Sequence, residues 1–363
     1  MVKEYGYEYD AARNTALWNA TAGRTTTDTL WDALCLRSGR DTLKAIAREF
    51  APTLVLMPAL ACDSMVQPFL QYGHTVRYYR LTAKYAVDLD HLRTLIPQTD
   101  MPVLFLYMDY FGNTAIDDDV LNNLRTDCPQ LRFIEDRTHD LLCDNRRSFL
   151  PDYRMASLRK WANIPDGGLL WAYRTLKNIT FGNDTSFSEK RLQAQTMRHE
   201  FLQNGDIQLK TAFRQIFSTV SDIIDKDMMP SRMSAYAFEL ARTTDWESTK
   251  QQRIENARVL TDILHHNPYV RLIQPAADRS ALYVPFIIEK RDDTQAQLSP
   301  RGIFNTIIWP LSDEQKVACP IAKQTVEHML AAPCDQRYTT ADMQVIGREI
   351  NEAVHRICAE EEL

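Results

Sequence analysis

The stretch Leu131-Arg132-Phe133-Ile134-Glu135-Asp136-Arg137-Thr138-His139 decides how this chain is read. A short apolar run that ends in a pair of acids reads as a buried strand with carboxylates at its carboxyl end. Further on come Ser157-Leu158-Arg159-Lys160, the turn Pro165-Asp166-Gly167-Gly168, and a second apolar run, Leu169-Leu170-Trp171-Ala172. An acid at one strand end and a lysine shortly before the next strand suggest a cofactor held between them. Taken singly, an acid after a strand is more often a turn or helix cap, and a lysine a solvated side chain. The order and spacing of the whole set carry the signal.

Outward from this stretch, strand and helix alternate from Arg40 to Trp171. Ser38-Gly39-Arg40-Asp41-Thr42 precedes apolar positions at helical spacing (Leu43, Ala45, Ile46, Phe50), so a helix starts here. Its positive end is a natural seat for a phosphate, and equally an ordinary capped terminus. Leu54–Met57 reads as a buried strand closed by Pro58, Ala61 to Leu70 as a helix stopped by Gly73, and Val76 to Tyr79 as the next strand. Asp88 caps a helix with Leu89, Leu92, Leu95 and Ile96, and Val103 to Met108 is another strand. Asp117-Asp118-Asp119 stands where acids favour a helix start and has no catalytic role in this reading. The alternation implies an α/β fold with a mainly parallel sheet covered by helices, whose ligands sit beyond the carboxyl ends of strands, where Asp109 and Asp136 both fall.

The flanks differ in character. Tyr5, Tyr7 and Tyr9 alternate before Trp18, as an edge strand or an arm lying over the body would, and Thr25-Thr26-Thr27-Asp28 looks like a cap region before an element through Trp31. Residues 186–225 are polar and helical, and a long helical stretch follows Pro230-Ser231-Arg232-Met233-Ser234. Strands over Ala281–Ile288 and Ile303–Trp309 and a terminal helix over Asp342–Ile357 then suggest a smaller α+β lobe. The expected division is an arm over 1–30, a large domain over 31–239 and a small domain over 240–363.

Composition narrows the function. The 42 basic and 48 acidic residues give a formal charge of −6, spread without a basic block, which argues against a nucleic-acid binder. No apolar run approaches the roughly 18 residues of a membrane span, and Met1-Val2-Lys3-Glu4-Tyr5 opens no apolar signal region, so a soluble, cytoplasmic protein is expected. Seven cysteines without a C-x-x-C pair read as reduced thiols, and eight histidines without H-x-x-x-H or H-E-x-x-H spacing offer no metal site. With no G-x-G-x-x-G after any strand a nicotinamide dehydrogenase is disfavoured, and the lack of a G-x-S-x-G elbow disfavours a Ser-His-Asp hydrolase.

The ordered set Ser38-Gly39-Arg40, Pro58 with Gly73, Glu135-Asp136 with His139, Ser157-x-x-Lys160, Gly167-Gly168 and Arg232-Met233-Ser234 resembles the DegT/StrS group of sugar aminotransferases, over roughly residues 30 to 350. These are fold-type I pyridoxal phosphate enzymes of the aspartate aminotransferase superfamily. The resemblance implies that Lys160 binds pyridoxal 5′-phosphate as a Schiff base and moves a proton from Cα, and that Asp136 pairs with the pyridine nitrogen. It implies that His139 touches the ring's phenolic oxygen where the family usually has glutamine. Gly39, Arg40 and Asp41 at the helix start, with Ser157, match phosphate-side positions, and Cys62 falls where many members stack an aromatic on the ring. Pro230 stands where the family has an asparagine that reaches the neighbouring subunit's phosphate, and Arg137-Thr138 replaces a small pair. Arg232, Trp309 and Tyr338 are candidate substrate contacts, the two aromatics having core packing as the ordinary alternative.

The implied function is amino transfer from an amino acid such as glutamate to a nucleotide-linked keto-sugar, by a homodimer acting on small molecules. The substitutions at Cys62 and Pro230 keep two alternatives open: a relative that binds the cofactor in a regulatory role after losing transamination, or an enzyme for a non-sugar substrate.

Overall fold

The computed structural model describes residues 2–6, 8–11, 32–143, 148–177, 179–273 and 279–359. The cap expected at Thr25–Asp28, the element through Trp31 and most of the 1–30 arm lie outside the described residues. In chain order the strands are β1 (Tyr5–Gly6), β2 (Leu34–Leu36), β3 (Leu54–Pro58), β4 (Thr75–Tyr79), β5 (Val103–Met108), β6 (Leu131–Asp136), β7 (Tyr153–Ala156) and β8 (Gly168–Ala172). β9 (Arg271–Leu272), β10 (Tyr283–Ile287), β11 (Ile303–Phe304), β12 (Thr306–Ile307) and β13 (Met329–Pro333) follow.

β2 to β8 form a seven-stranded sheet in the order β2-β8-β7-β6-β5-β3-β4. Only β8 runs against its neighbours, β2 and β7. Every residue of central β5 is buried, as a strand covered on both faces by helices must be. Register sets the ends of the strands level: Met108 of β5 lies opposite Asp136 of β6, and Asp136 opposite Met155 of β7. Phe105 and Phe133 meet edge to face at 5.9 Å within this core, each burial contributing roughly 1.5–3 kcal/mol.

The helix Gly39–Arg48 starts where β2 ends. The Ser38 side chain accepts the Asp41 N–H, and the start is held from outside by buried Arg37, whose guanidinium bonds Asp41, Asp184 and Asp227. Lys44, also buried, donates to the carbonyls of Ile224 and Asp227, so the helix is anchored to the C-terminal end of the helix Ser221–Lys226. On the other side Gly168 of β8 lies opposite Leu36, and a Cβ on Gly168 would stand 2.2 Å from the Ser38 carbonyl oxygen.

The C-terminal part builds a second sheet, β12-β13-β10-β9, against the helices Trp246–Leu264 and Thr340–Ala359. β1 pairs in parallel with β11, so the Tyr5 end of the chain is a strand on this lobe. The single strand expected over Ile303–Trp309 is instead two short ones. Asn305 separates them, its backbone N–H and side-chain amide both held by Gln295 Oε1, which diverts β11 to β1 and β12 to β13. The proposed division near residue 240 passes through one apolar cluster in which Leu158 and Trp161 pack with Leu240, Trp246 and Tyr283.

Candidate active site

Five of the large sheet's strands deliver side chains to one cleft at their carboxyl ends. It is lined by Ser38, Gly39 and Arg40 after β2, by Cys62, Ser64 and Met65 after β3, and by Met108 of β5. Asp136, Thr138 and His139 come from the end of β6, Met155, Ser157, Arg159 and Lys160 from β7 and the turn after it, and Ile224 and Trp309 complete the lining.

Asp136 is the last residue of β6 and is buried. Burial raises its proton affinity, while hydrogen bonds from Thr138 and the charge of Lys160 pull it back down. The backbone N–H of Thr138 donates to Asp136 Oδ1 at 2.8 Å. Lys160 sits half-buried in the 3₁₀ turn Leu158–Lys160, and among the described residues its ammonium makes no hydrogen bond or ion pair.

His139 is fully buried. Burial first, then Lys160, holds its imidazole well below the usual histidine range, so it is neutral. The Phe111 N–H approaches His139 Nδ1 at 3.5 Å, which assigns the proton to Nε2, and Nε2 is buried without a hydrogen-bond partner among the described residues. The ring is fixed by Phe111 at 5.2 Å and by Tyr283 and Trp309, each at 6.0 Å. Phe111 takes a left-handed backbone (φ 57°, ψ 26°), a conformation that costs about 1–3 kcal/mol in a non-glycine residue and here turns its N–H onto His139.

The helix start forms the opposite wall. Gly39 leaves open a space that a Cβ would fill at 3.3 Å from both the Ser157 Cβ and the Met155 methyl. The Ser157 hydroxyl enters no hydrogen bond among the described residues, and the N–H groups of a helix's first turn are free to face an anion. A ring-bearing phosphate fits this donor set: hydroxyl and amides at one end, a buried carboxylate and an unused imidazole N–H at the other, a lysine between. Among the described residues no group of three or more metal-ligating side chains occurs.

The other expected site residues are distributed unequally. Gly39, Arg40, Cys62, Asp136, His139, Ser157, Lys160 and Trp309 all line the cleft. Arg40 spends its charge on Asp225, at 2.7 Å, rather than on the cleft alone. Asp41 does not line it, because its carboxylate is taken by the Arg37 guanidinium and the Ser38 hydroxyl. Arg232 is exposed and lies over the Phe181 ring at 5.2 Å, outside the cleft. Tyr338 is buried in the second lobe, where its hydroxyl accepts the Gly6 N–H, so its role is packing against the N-terminal strand. Residues that sequence reasoning left without a role include Thr138, Arg159 and Ile224. Only Thr138 carried a signal, as a departure from the small pair expected after the acid.

Asp166, in the turn before β8, is buried and accepts the Ser234 N–H and hydroxyl at 3.1 and 3.3 Å. Burial lifts it from 3.8 to about 6 despite those bonds. A carboxyl that binds its proton more tightly folded than unfolded stabilises fully below the unfolded value, and that stability is lost as pH rises through the folded value. Thermal unfolding is therefore expected to show the natural protein losing about 2–3 kcal/mol relative to Asp166→Asn between pH 3.8 and about 6. A pH-independent difference would contradict this.

No family model and no curated protein sequence matches the chain. Solved structures do match it along nearly its whole length. A putative sugar aminotransferase, Spr1654 from Streptococcus pneumoniae, in its PMP form, superposes with a TM-score of 0.69 at 13% identity, covering 100% of both chains. Helicobacter pylori PseC, an aminotransferase involved in the biosynthesis of pseudoaminic acid, gives 0.66 at 14% identity over 98% of this chain and 100% of that one. A DegT DnrJ EryC1 StrS aminotransferase from Brucella abortus gives 0.61 at 14% identity, covering 94% of each chain. The chain has the fold of these aminotransferases.

Proposed function

We propose that the chain is a pyridoxal phosphate-dependent aminotransferase that moves an amino group from an amino acid such as glutamate to a nucleotide-linked keto-sugar. The observation that carries this reading is the unbonded Lys160 ammonium in a cleft with the buried Asp136 carboxylate and the unused His139 Nε2–H. When bound, pyridoxal phosphate supplies an electron sink through its protonated pyridine ring. Asp136 would hold the proton on the pyridine nitrogen, since a nearby carboxylate favours the charged ring. His139, kept neutral by burial and by Lys160, would offer its Nε2–H to the ring oxygen. The Ser157 hydroxyl and the Gly39 and Arg40 amides would hold the phosphate. Lys160 would hold the coenzyme through its amino group and, once free, would serve as the base for the substrate's Cα proton.

The sugar assignment is supported by the printed descriptions of the structural neighbours and by Trp309, whose indole nitrogen is buried at the cleft without a hydrogen-bond partner among the described residues. No helix of the described residues is long and apolar enough to cross a membrane, and the reading is of a cytoplasmic homodimer. Cys62 favours the second reading, a cofactor-binding relative without transamination: it presents a thiol bonded to Ser64 at 3.0 Å where the family stacks an aromatic. A half-reaction screen separates the two. Conversion of the bound coenzyme to its amino form by glutamate or another donor, and its restoration by a keto-sugar nucleotide, is the expected result. Cofactor retention with no conversion by any donor would favour the second reading.

A further inference from the structure

We propose that Thr138 is the positioning residue of this cleft, holding the acid, the phosphate-side serine and the lysine turn at once. The inference rests on the functional reading above. Thr138 is buried, and each of its polar groups is bonded to a different part of the site. Its N–H donates to Asp136 Oδ1 at 2.8 Å, and its hydroxyl oxygen accepts the Ser157 N–H at 3.1 Å. Its carbonyl accepts the indole N–H of Trp161, the residue after Lys160, at 2.8 Å.

Trp161 is itself clamped from the second lobe. Its carbonyl accepts from Arg253 Nη2 at 3.2 Å and from Gln336 Nε2 at 2.9 Å. The short segment that carries Thr138 is braced at both sides. The Arg137 N–H donates to the Met155 carbonyl at 2.8 Å, and the Arg137 guanidinium bonds the Asp140 carboxylate and the Asp140 and Cys143 carbonyls. The pair Arg137-Thr138, which departs from the small residues of the resembled family, thus forms a local frame.

A hydroxyl that accepts from Ser157 still has its own hydrogen to give, and the Thr138 side chain beside Asp136 favours the charged carboxylate against its burial. Valine at 138 would keep the shape and lose both functions, leaving the Ser157 N–H without its acceptor and Asp136 one donor short. Serine would keep both.

The test is the dissociation constant of pyridoxal phosphate across pH for the full chain and for Thr138→Val and Thr138→Ser. Loss of hydrogen bonds to a charged group and a buried amide is expected to weaken binding by Thr138→Val roughly ten- to hundredfold, with Thr138→Ser within about twofold of the natural protein. The acid limb of the binding profile should also move to higher pH in Thr138→Val alone, because Asp136 then keeps its proton to higher pH. A merely structural loosening would weaken binding without moving that limb. Should Thr138→Val not fold, Thr138→Ala adds no bulk and carries the same expectations. Binding by Thr138→Val within twofold of the natural protein at every pH overturns the inference alone. No binding by the natural protein overturns the functional reading and this inference together.

Discussion

Lys160→Ala protein is expected to be colourless after dialysis and to lose amino transfer by a factor of roughly 10²–10⁴, the range for removing a positioned proton carrier, with covalent retention of the coenzyme lost as well. The fold should survive the change. Lys160 is half-buried, its ammonium has no partner among the described residues, and its aliphatic stem lies in a cleft rather than in a packed core. The neighbouring groups respond in a predictable direction. With the lysine's charge gone, Asp136 loses an influence that lowers its proton affinity and His139 loses one that keeps it unprotonated. Absorbance of the dialysed protein and initial rates with a responsive donor check this prediction. A variant that stays yellow and active would mean that another residue holds the coenzyme.

Gly168→Ala is expected to cost the fold about 3–5 kcal/mol or to prevent folding. The added methyl would stand 2.2 Å from the Ser38 carbonyl oxygen and 2.8 Å from the Gly39 nitrogen, both backbone atoms that no rotamer change can move aside. Relief requires separating β8 from the start of the Gly39–Arg48 helix, which breaks pairing with Leu36 and moves the amides of the phosphate seat. Such overpacking against rigid backbone lies at the upper end of single-substitution effects. Chemical denaturation of the variant measures it. Gly39→Ala is the milder comparison, because its methyl would meet the side chains of Met155 and Ser157 at 3.3 Å. Stability of Gly168→Ala within 1 kcal/mol of the natural protein (about fivefold in the folding equilibrium) would contradict the packing argument.

What could be read from the sequence followed from how strongly each element is determined locally. β5 is a continuous apolar run and β6 a mostly apolar one closed by two acids, and the helices after Ser38 and Asp88 carry side-chain caps that the structure contains. Gly73 stops its helix with φ +79°, the backbone that glycine adopts most readily. Strands β2, β7 and β13 are defined by their partners rather than by pattern, and short elements of this kind leave little periodicity to detect. The split of residues 303–309 depended on Gln295, a contact across a turn that no local pattern announces.

The site divides along the same line. Asp136, His139, Ser157 and Lys160 lie at strand ends, where a parallel sheet concentrates function, and they converge in the structure. Tyr338 and Arg232 were candidates by motif position alone, and their surroundings assign one to core packing and the other to a surface stack. The reason Asp41 turns away from the cleft is Arg37, a fully buried cation that must be paired wherever it sits, and whose other two carboxylate partners, Asp184 and Asp227, come from distant parts of the chain. Three-dimensional pairing of that kind has no signature in spacing.

The most direct test of the proposed function is to load the protein with pyridoxal phosphate, reduce it with borohydride, and map the modified peptide by mass spectrometry. The account predicts a single pyridoxyl group on Lys160. Attachment at any other lysine, or none after loading, would contradict it.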